Sequence, residues 1–215
     1  LNGNIYFNNY LYHVFMANSE FKPLSRSFYD SNTVLVAKKL LGKLVVRKLN
    51  GQVISGRIVE TEAYTSGEHD PASHACRGMT ERNKVMFGKN GISYVYFTYG
   101  MYFMFNVVAK KKTEDAGAVL IRALEPIKGI KIMELNRHVK NELNITNGPG
   151  KLTKALVINK KLNGSDLTKK GKLYITNFER RREEISASVR IGISFAIDKK
   201  WRFYLKRNKF VSKKE

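Results

Sequence analysis

Cysteine, acidic residues and long apolar runs are what this chain has least of. Cys76 is the only cysteine in 215 residues, so an internal disulfide framework and a cysteine metal cluster are both excluded. No apolar run approaches the length needed to cross a bilayer. The first residues lack a basic stretch followed by an apolar core, so a secretory leader is not expected and the protein reads as intracellular. Asp and Glu number 18 against 39 Lys and Arg, a formal charge of +21. Such an excess weakens the compact state through self-repulsion and implies a polyanionic partner. Nucleic acid comes first, because neutralised phosphates release counterions whatever the base sequence. An anionic membrane comes second, but no basic amphipathic helix is present to serve it, so no membrane role is expected. Internal repeats and linkers rich in Pro or Ser are also missing, and a chain of this length reads as one domain.

What the chain has in quantity is aromatic residues, concentrated between Ile92 and Val107: Tyr94, Tyr96, Phe97, Tyr99, Tyr102, Phe103 and Phe105. β-Branched and aromatic side chains suit a pleated surface, so two strands are expected, with Gly100 at the bend between them. Alternation puts Tyr94, Tyr96 and Thr98 on one face, and Val95, Phe97 and Tyr99 on the other. A buried tyrosine hydroxyl needs a partner, so this ribbon has more to offer than a plain apolar core.

Upstream, Ser31 or Asn32 can cap a helix through Leu40 and Leu41, with Gly42 as its stop. Asn50-Gly51 between two apolar runs predicts a hairpin whose second strand runs from Gln52 into Glu60-Thr61-Glu62-Ala63-Tyr64. Residues 65–91 form a long polar loop, a length that usually signals function. A strand is expected over Ala116–Leu124, a helix over Ile127–Leu143 with Ile130, Met133 and Val139 inward, and a short helix after Asn147-Gly148-Pro149-Gly150-Lys151. Further strands are expected at Lys172–Thr176, Val189–Ala196 and Arg202–Leu205. The result is an α+β fold: a single domain, mainly antiparallel curved sheet, with flanking helices and a protruding aromatic β-hairpin.

Charged residues in apolar strands carry the chemistry. Glu60 and Glu62 share a face of their strand, and an isolated buried carboxylate is expensive. Either can act as a general base on water, given a pocket and a nearby cation. Arg122, between Ile121 and Ala123, can supply that cation, although spacing leaves open which glutamate it meets. His69, His74 and Cys76 are neighbours in sequence but match no zinc pattern, so no metal is expected. No Gly-x-Ser-x-Gly elbow is present. Gly148-Pro149-Gly150-Lys151 falls short of a Walker loop, though it can offer amides and a lysine to a phosphate.

Six blocks, in order, together resemble a known family. They are Gly56–Tyr64, Asp70–His74, Arg82-Asn83 with Met86-Phe87, Tyr94–Tyr102 with Asn106, Arg122–Pro126 and Gly148–Leu152, with Arg202-Phe203-Tyr204 near the end. They look like the alkyladenine (3-methyladenine) DNA glycosylases of the mammalian type. The resemblance covers residues 24–212, leaving 1–23 as a segment of unknown role and 213–215 as a basic tail.

It implies an enzyme of base-excision repair acting on duplex DNA with damaged purines, as a monomer and without a cofactor, in a bacterial cytoplasm (nucleoid) or a nucleus. An alkylated or deaminated purine (3-methyladenine, 7-methylguanine or hypoxanthine) would be flipped out of the stack, since an enzyme cannot otherwise reach it. By the same resemblance, Glu62 is the general base and Arg122 its partner. Tyr64, His74 and Tyr96 enclose the base, and Asn106 polices the guanine 2-amino group. Tyr99 fills the vacated space with Met101 beside it, and Arg82, Asn83, Met86 and Lys151 lie near the DNA backbone. Two rivals remain at this point. A non-enzymatic minor-groove bending protein would use the charge and the wedges but not Glu62 with Arg122. A lyase would use a lysine nucleophile instead of water.

Overall fold

Asn32 opens the first substantial helix: its side chain accepts hydrogen bonds from the amides of Val34 (3.0 Å) and Leu35 (3.3 Å). A computed structural model describes residues 21–178 and 183–212. Residues 1–20 and the 213–215 tail therefore lie outside the described residues. After a single turn, α1 (Arg26–Tyr29), the capped helix α2 spans Thr33–Leu40. It ends at Gly42, whose φ of +81° fits the left-handed stop expected there. Strand β1 (Leu44–Leu49) then turns through Asn50 (φ +48°) and Gly51 (φ +76°) into the 14-residue strand β2 (Gln52–Thr65), as the Asn-Gly signal predicts.

Next come the turn α3 (Lys84–Phe87), the aromatic pair β3 (Ser93–Thr98) and β4 (Tyr102–Val108), and β5 (Gly117–Lys128). Helices α4 (Ile130–Arg137) and α5 (Pro149–Ala155) precede the short strands β6 (Leu173–Thr176), β7 (Ile185–Ser188) and β8 (Arg202–Leu205). All pairings are antiparallel, in the order β3-β4-β5-β2-β1-β6, with β8 on the far half of β2 and β7 beyond it. The outcome is the expected α+β domain: one curled antiparallel sheet with a few helices packed on it.

Two elements differ from the sequence reading. The helix expected over Ile127–Leu143 shrinks to α4, because Ile127 and Lys128 finish β5 and His138 turns left-handed (φ +55°). Pro126 favours an extended residue before it, which carries the strand onward. Val189–Ala196 forms turns, and the strand lies just upstream as β7. The misreading has a cause: Ile185 and Val189 face solvent while Ser188 and Arg190 are buried, so the apolar pattern is inverted.

The main core lies between α2, α4, α5 and one face of the sheet, with Val36, Leu40, Phe105, Ile121, Met133 and Leu152 among its members. Consecutive Ile58 and Val59 both enter it, because the β2–β5 register slips on either side of Glu60. In that slip Ile58 pairs with Leu124, Glu60 with Ala123 and Thr61 with Ile121, so Arg122 drops out of the ladder. Bulges of this kind re-aim side chains beside functional sites.

Candidate active site

A row of directly paired residues runs across five strands: Tyr94 with Asn106, Asn106 with Leu120, Leu120 with Glu62, and Glu62 with Arg202. Paired residues point to the same side of a sheet, so register alone gathers them on one face. Above this row lies a cavity of about 350 Å³, at the small end of ligand sites. Its walls include Tyr64, His74, Tyr94, Tyr96, Asn106 and Arg122, with Tyr99 at the rim and Ile191–Ile193 along one side.

Arg122 meets both glutamates. Its Nε donates to Glu60 Oε1 (3.0 Å) and its Nη1 to Glu62 Oε2 (3.2 Å), and both carboxylates are fully buried. Burial works against the guanidinium charge, but Glu62 and Glu60 outweigh it and hold the Arg122 pKa above its ordinary value.

The two carboxylates are otherwise unlike. Glu60 also accepts from Arg202 Nε (2.8 Å) and Ser212 Oγ (2.8 Å) at Oε1 and from the Ser212 amide (2.6 Å) at Oε2, so three of these four donors, Arg122 included, crowd onto Oε1. Glu62 accepts from Arg122, from the Tyr64 hydroxyl at Oε2 (2.9 Å) and from the Ile191 amide at Oε1 (2.7 Å). Among the described residues Glu62 has three donors, and all three belong to the cavity wall, which Arg202 and Ser212 do not. Glu62 thus sits directly behind that wall.

The aromatic walls are held as firmly. Burial first, and the Glu62 carboxylate second, keep the Tyr64 hydroxyl pKa well above 10.0, so Tyr64 stays a donor. Burial pushes Tyr96 up to about 12, with Arg82 pulling the other way. Tyr96 packs against His74 (4.6 Å between centroids) and Tyr94 (5.1 Å). His74 Nδ1 and the Tyr94 hydroxyl are hydrogen-bonded at 2.9 Å. Burial and the neighbouring Arg82 lower the His74 pKa from 6.5, so the ring is neutral at pH 7. Asn106 donates to the Tyr94 carbonyl (3.0 Å), which fixes its amide at the cavity edge.

The turn between β3 and β4 carries Tyr99, 74% exposed, and Met101, 64% exposed. Strict alternation puts Tyr99 on the face opposite Tyr96, yet both line the same cavity. Left-handed backbone at Tyr99 (φ +53°) and Gly100 (φ +66°) ends the alternation and swings the ring over. Arg82 is exposed with its guanidinium 5.5 Å from the Tyr96 ring. Asn83 and Met86, read as lying near a DNA backbone, have their side chains buried. Asn83 bonds the Thr80 amide and the His74 and Gly78 carbonyls, shaping the loop that carries His74, while Met86 reaches the cavity from below. Lys151 donates to Asn147 Oδ1 (2.8 Å) at the start of α5. That helix approaches closely because a Cβ at Gly150 would come within 2.7 Å of Tyr102.

Residues 27–209 match the model of the methylpurine-DNA glycosylase family. The chain belongs to that family. The match covers most of the sequence, and with it come the activity of a DNA glycosylase and a place in base-excision repair. A protein of Carboxydothermus hydrogenoformans with the provisional name 3-methyladenine DNA glycosylase is 54% identical over 192 residues, covering 89% of this chain and 99% of its own. Proteins of the same provisional name from Clostridium tetani (46% over 203 residues; 89% and 99%) and Francisella tularensis (48% over 188 residues; 85% and 94%) are similar along nearly their whole lengths. Membership in a glycosylase family sets aside the non-enzymatic reading of the charge and wedges.

Several residues that hold this candidate site together went unread in the sequence. Arg202 and Ser212 hold Glu60, and the Ile191 amide reaches Glu62 from a distant turn. Arg190 and Asp70 form a fully buried ion pair at 2.7 Å. A lone arginine among apolar residues was the signal for Arg122, and Val189-Arg190-Ile191 carries the same one.

Proposed function

We propose that this glycosylase flips an alkylated or deaminated purine out of duplex DNA into the cavity and hydrolyses its N-glycosidic bond with a water activated by Glu62. The observation that carries the reading is where the donors come from: all three on Glu62 (Tyr64, Arg122 and Ile191) are drawn from the cavity wall, whereas Arg202 and Ser212, which hold Glu60, lie off it. Glu62 takes a proton from the water, and the water oxygen attacks C1′ from the face opposite the base. The glycosidic electrons leave with the base, giving an inverted abasic sugar. A purine alkylated at N3 or N7 leaves as a neutral molecule; hypoxanthine requires a proton delivered to its ring. Arg122 orients the carboxylate through Nη1, 3.2 Å from Oε2.

Tyr64, Tyr96 and His74 enclose the base in this reading, since tyrosine faces stack on flat rings and attract the cationic ones. The fixed Asn106 amide meets the position of a guanine 2-amino group, where an unpaired polar contact discriminates by about 1–3 kcal/mol. Tyr99 enters the minor groove as a wedge with Met101 beside it, offsetting the few kcal/mol of unstacking. Exposed Arg82, together with Lys151 and the overall charge of +21, neutralises phosphates. For Asn83 and Met86 the contact with the backbone passes through the loop they shape. The enzyme acts as a monomer on chromosomal DNA.

The test uses duplex DNA carrying hypoxanthine, with wild type compared to Glu62→Gln. Base release by the wild type alone, with DNA binding kept in both, supports the assignment; equal release by the two removes it. Borohydride should trap no protein–DNA adduct, and an adduct would favour a lysine nucleophile over water.

A further inference from the structure

The two donors that flank Arg122 on Glu62 share one support. Tyr64, whose hydroxyl bonds Oε2, has the Arg190 guanidinium over its ring at 4.7 Å. The Ile191 amide, which bonds Oε1, belongs to the residue next to Arg190. Arg190 is itself clamped: Nη2 donates to Asp70 Oδ1 (2.7 Å), and Nη1 to Asp70 Oδ2 (3.0 Å) and the Ala63 carbonyl (3.0 Å). Asp70 takes a further bond from the Thr65 amide (2.9 Å), tying the pair to the end of β2. Trp201 lies 5.3 Å from the same guanidinium. Among the described residues the Arg190 Nε–H is buried without an acceptor, an omission native structures seldom tolerate. The guanidinium is therefore placed for stacking and for its bidentate grip, at the expense of complete hydrogen bonding.

We infer that Arg190, locked by Asp70, is a positioning residue for the general base: it fixes the Tyr64 ring and the Ile191 amide, and through them the orientation of Glu62. This rests on the proposed role of Glu62, since a clamp on that carboxylate matters to the reaction only if the carboxylate takes the proton. Lysine cannot replace Arg190, because a single ammonium lacks the planar fork that grips Asp70 while stacking on Tyr64.

The experiment measures single-turnover release of hypoxanthine from duplex DNA at saturating protein, for wild type, Arg190→Lys, Asp70→Asn and Glu62→Gln. Binding to a duplex with a reduced abasic site and thermal melting are followed in parallel. Arg190→Lys keeps a cation beside Asp70, and Asp70→Asn keeps the shape of the site, so at least one of them should fold. The expected result is a rate roughly 10–100-fold lower, the usual loss when an outer partner no longer orients a working group. Binding should change little. The loss should thus fall on the chemical step alone, because the carboxylate is misdirected while the cavity still receives DNA. An equal loss of rate and binding would make Arg190 merely structural, and wild-type behaviour in the folded variants would overturn the inference outright. Undiminished activity in Glu62→Gln would instead remove the reading on which it stands, and the clamp with it.

Discussion

Glu60 and Glu62 lie on the same strand, share Arg122 and are equally buried, yet their other donors come from different places. Around Glu60 they come from chain closure: β8 brings Arg202, and the segment after it brings both polar groups of Ser212. Around Glu62 the partners are the wall of a cavity. Burial and a shared arginine therefore do not separate two carboxylates; what separates them is whether their partners face a space that a substrate can enter.

Removing the carboxylate of Glu62 should break the comparison most strongly. Glu62→Gln should lower the single-turnover rate by roughly 10²–10⁴-fold, the range for a positioned general base, with melting temperature little changed. Glu60→Gln should show the converse. Arg122 keeps Glu62, but Arg202 loses this carboxylate, and stability should fall by about 3 kcal/mol, the low end for breaking a buried pair. Denaturant melts together with rates measured on the folded fraction separate the two effects.

The contrast can also be sharpened at the rim. Tyr99→Ala should lose about 1–3 kcal/mol of stacking, of order 10–100-fold in base release, while stability stays within roughly 0.5 kcal/mol. A large drop in melting temperature would make the exposed ring part of the fold. The smallest effect is expected from His74, whose folded pKa lies below 6.5 through burial and the nearby Arg82. The unfolded chain then binds the extra proton first, so its stabilising contribution is complete above pH 6.5 and lost as pH falls toward the folded value. His74→Gln should flatten the slope of melting temperature between roughly pH 7.5 and 5.5, a window that brackets the ordinary histidine range.

Local signals were legible where a few neighbours decide the outcome. Asn50-Gly51 gave a turn because both positions need positive φ, and Asn32 gave a cap because its side chain reaches amides two and three residues on. Glu62 and Arg122 stood out as charges in apolar strands, and β5 brings them together. Arg190 escaped notice because its strand tail buries polar residues and exposes apolar ones, the reverse of the usual pattern. The Tyr99 ring escaped the alternation rule at a left-handed turn.

The sequence by itself determined most of the strands, the Asn50-Gly51 turn, the aromatic ribbon and the need for both a polyanion and a partner for each buried charge, because these follow from propensity, period and desolvation along the chain. Only the tertiary structure decided which carboxylate backs onto the cavity. That choice depends on donors 129 and 152 residues away, Ile191 at Glu62 and Ser212 at Glu60, brought in by sheet register and chain closure. No local pattern encodes a distance of that kind.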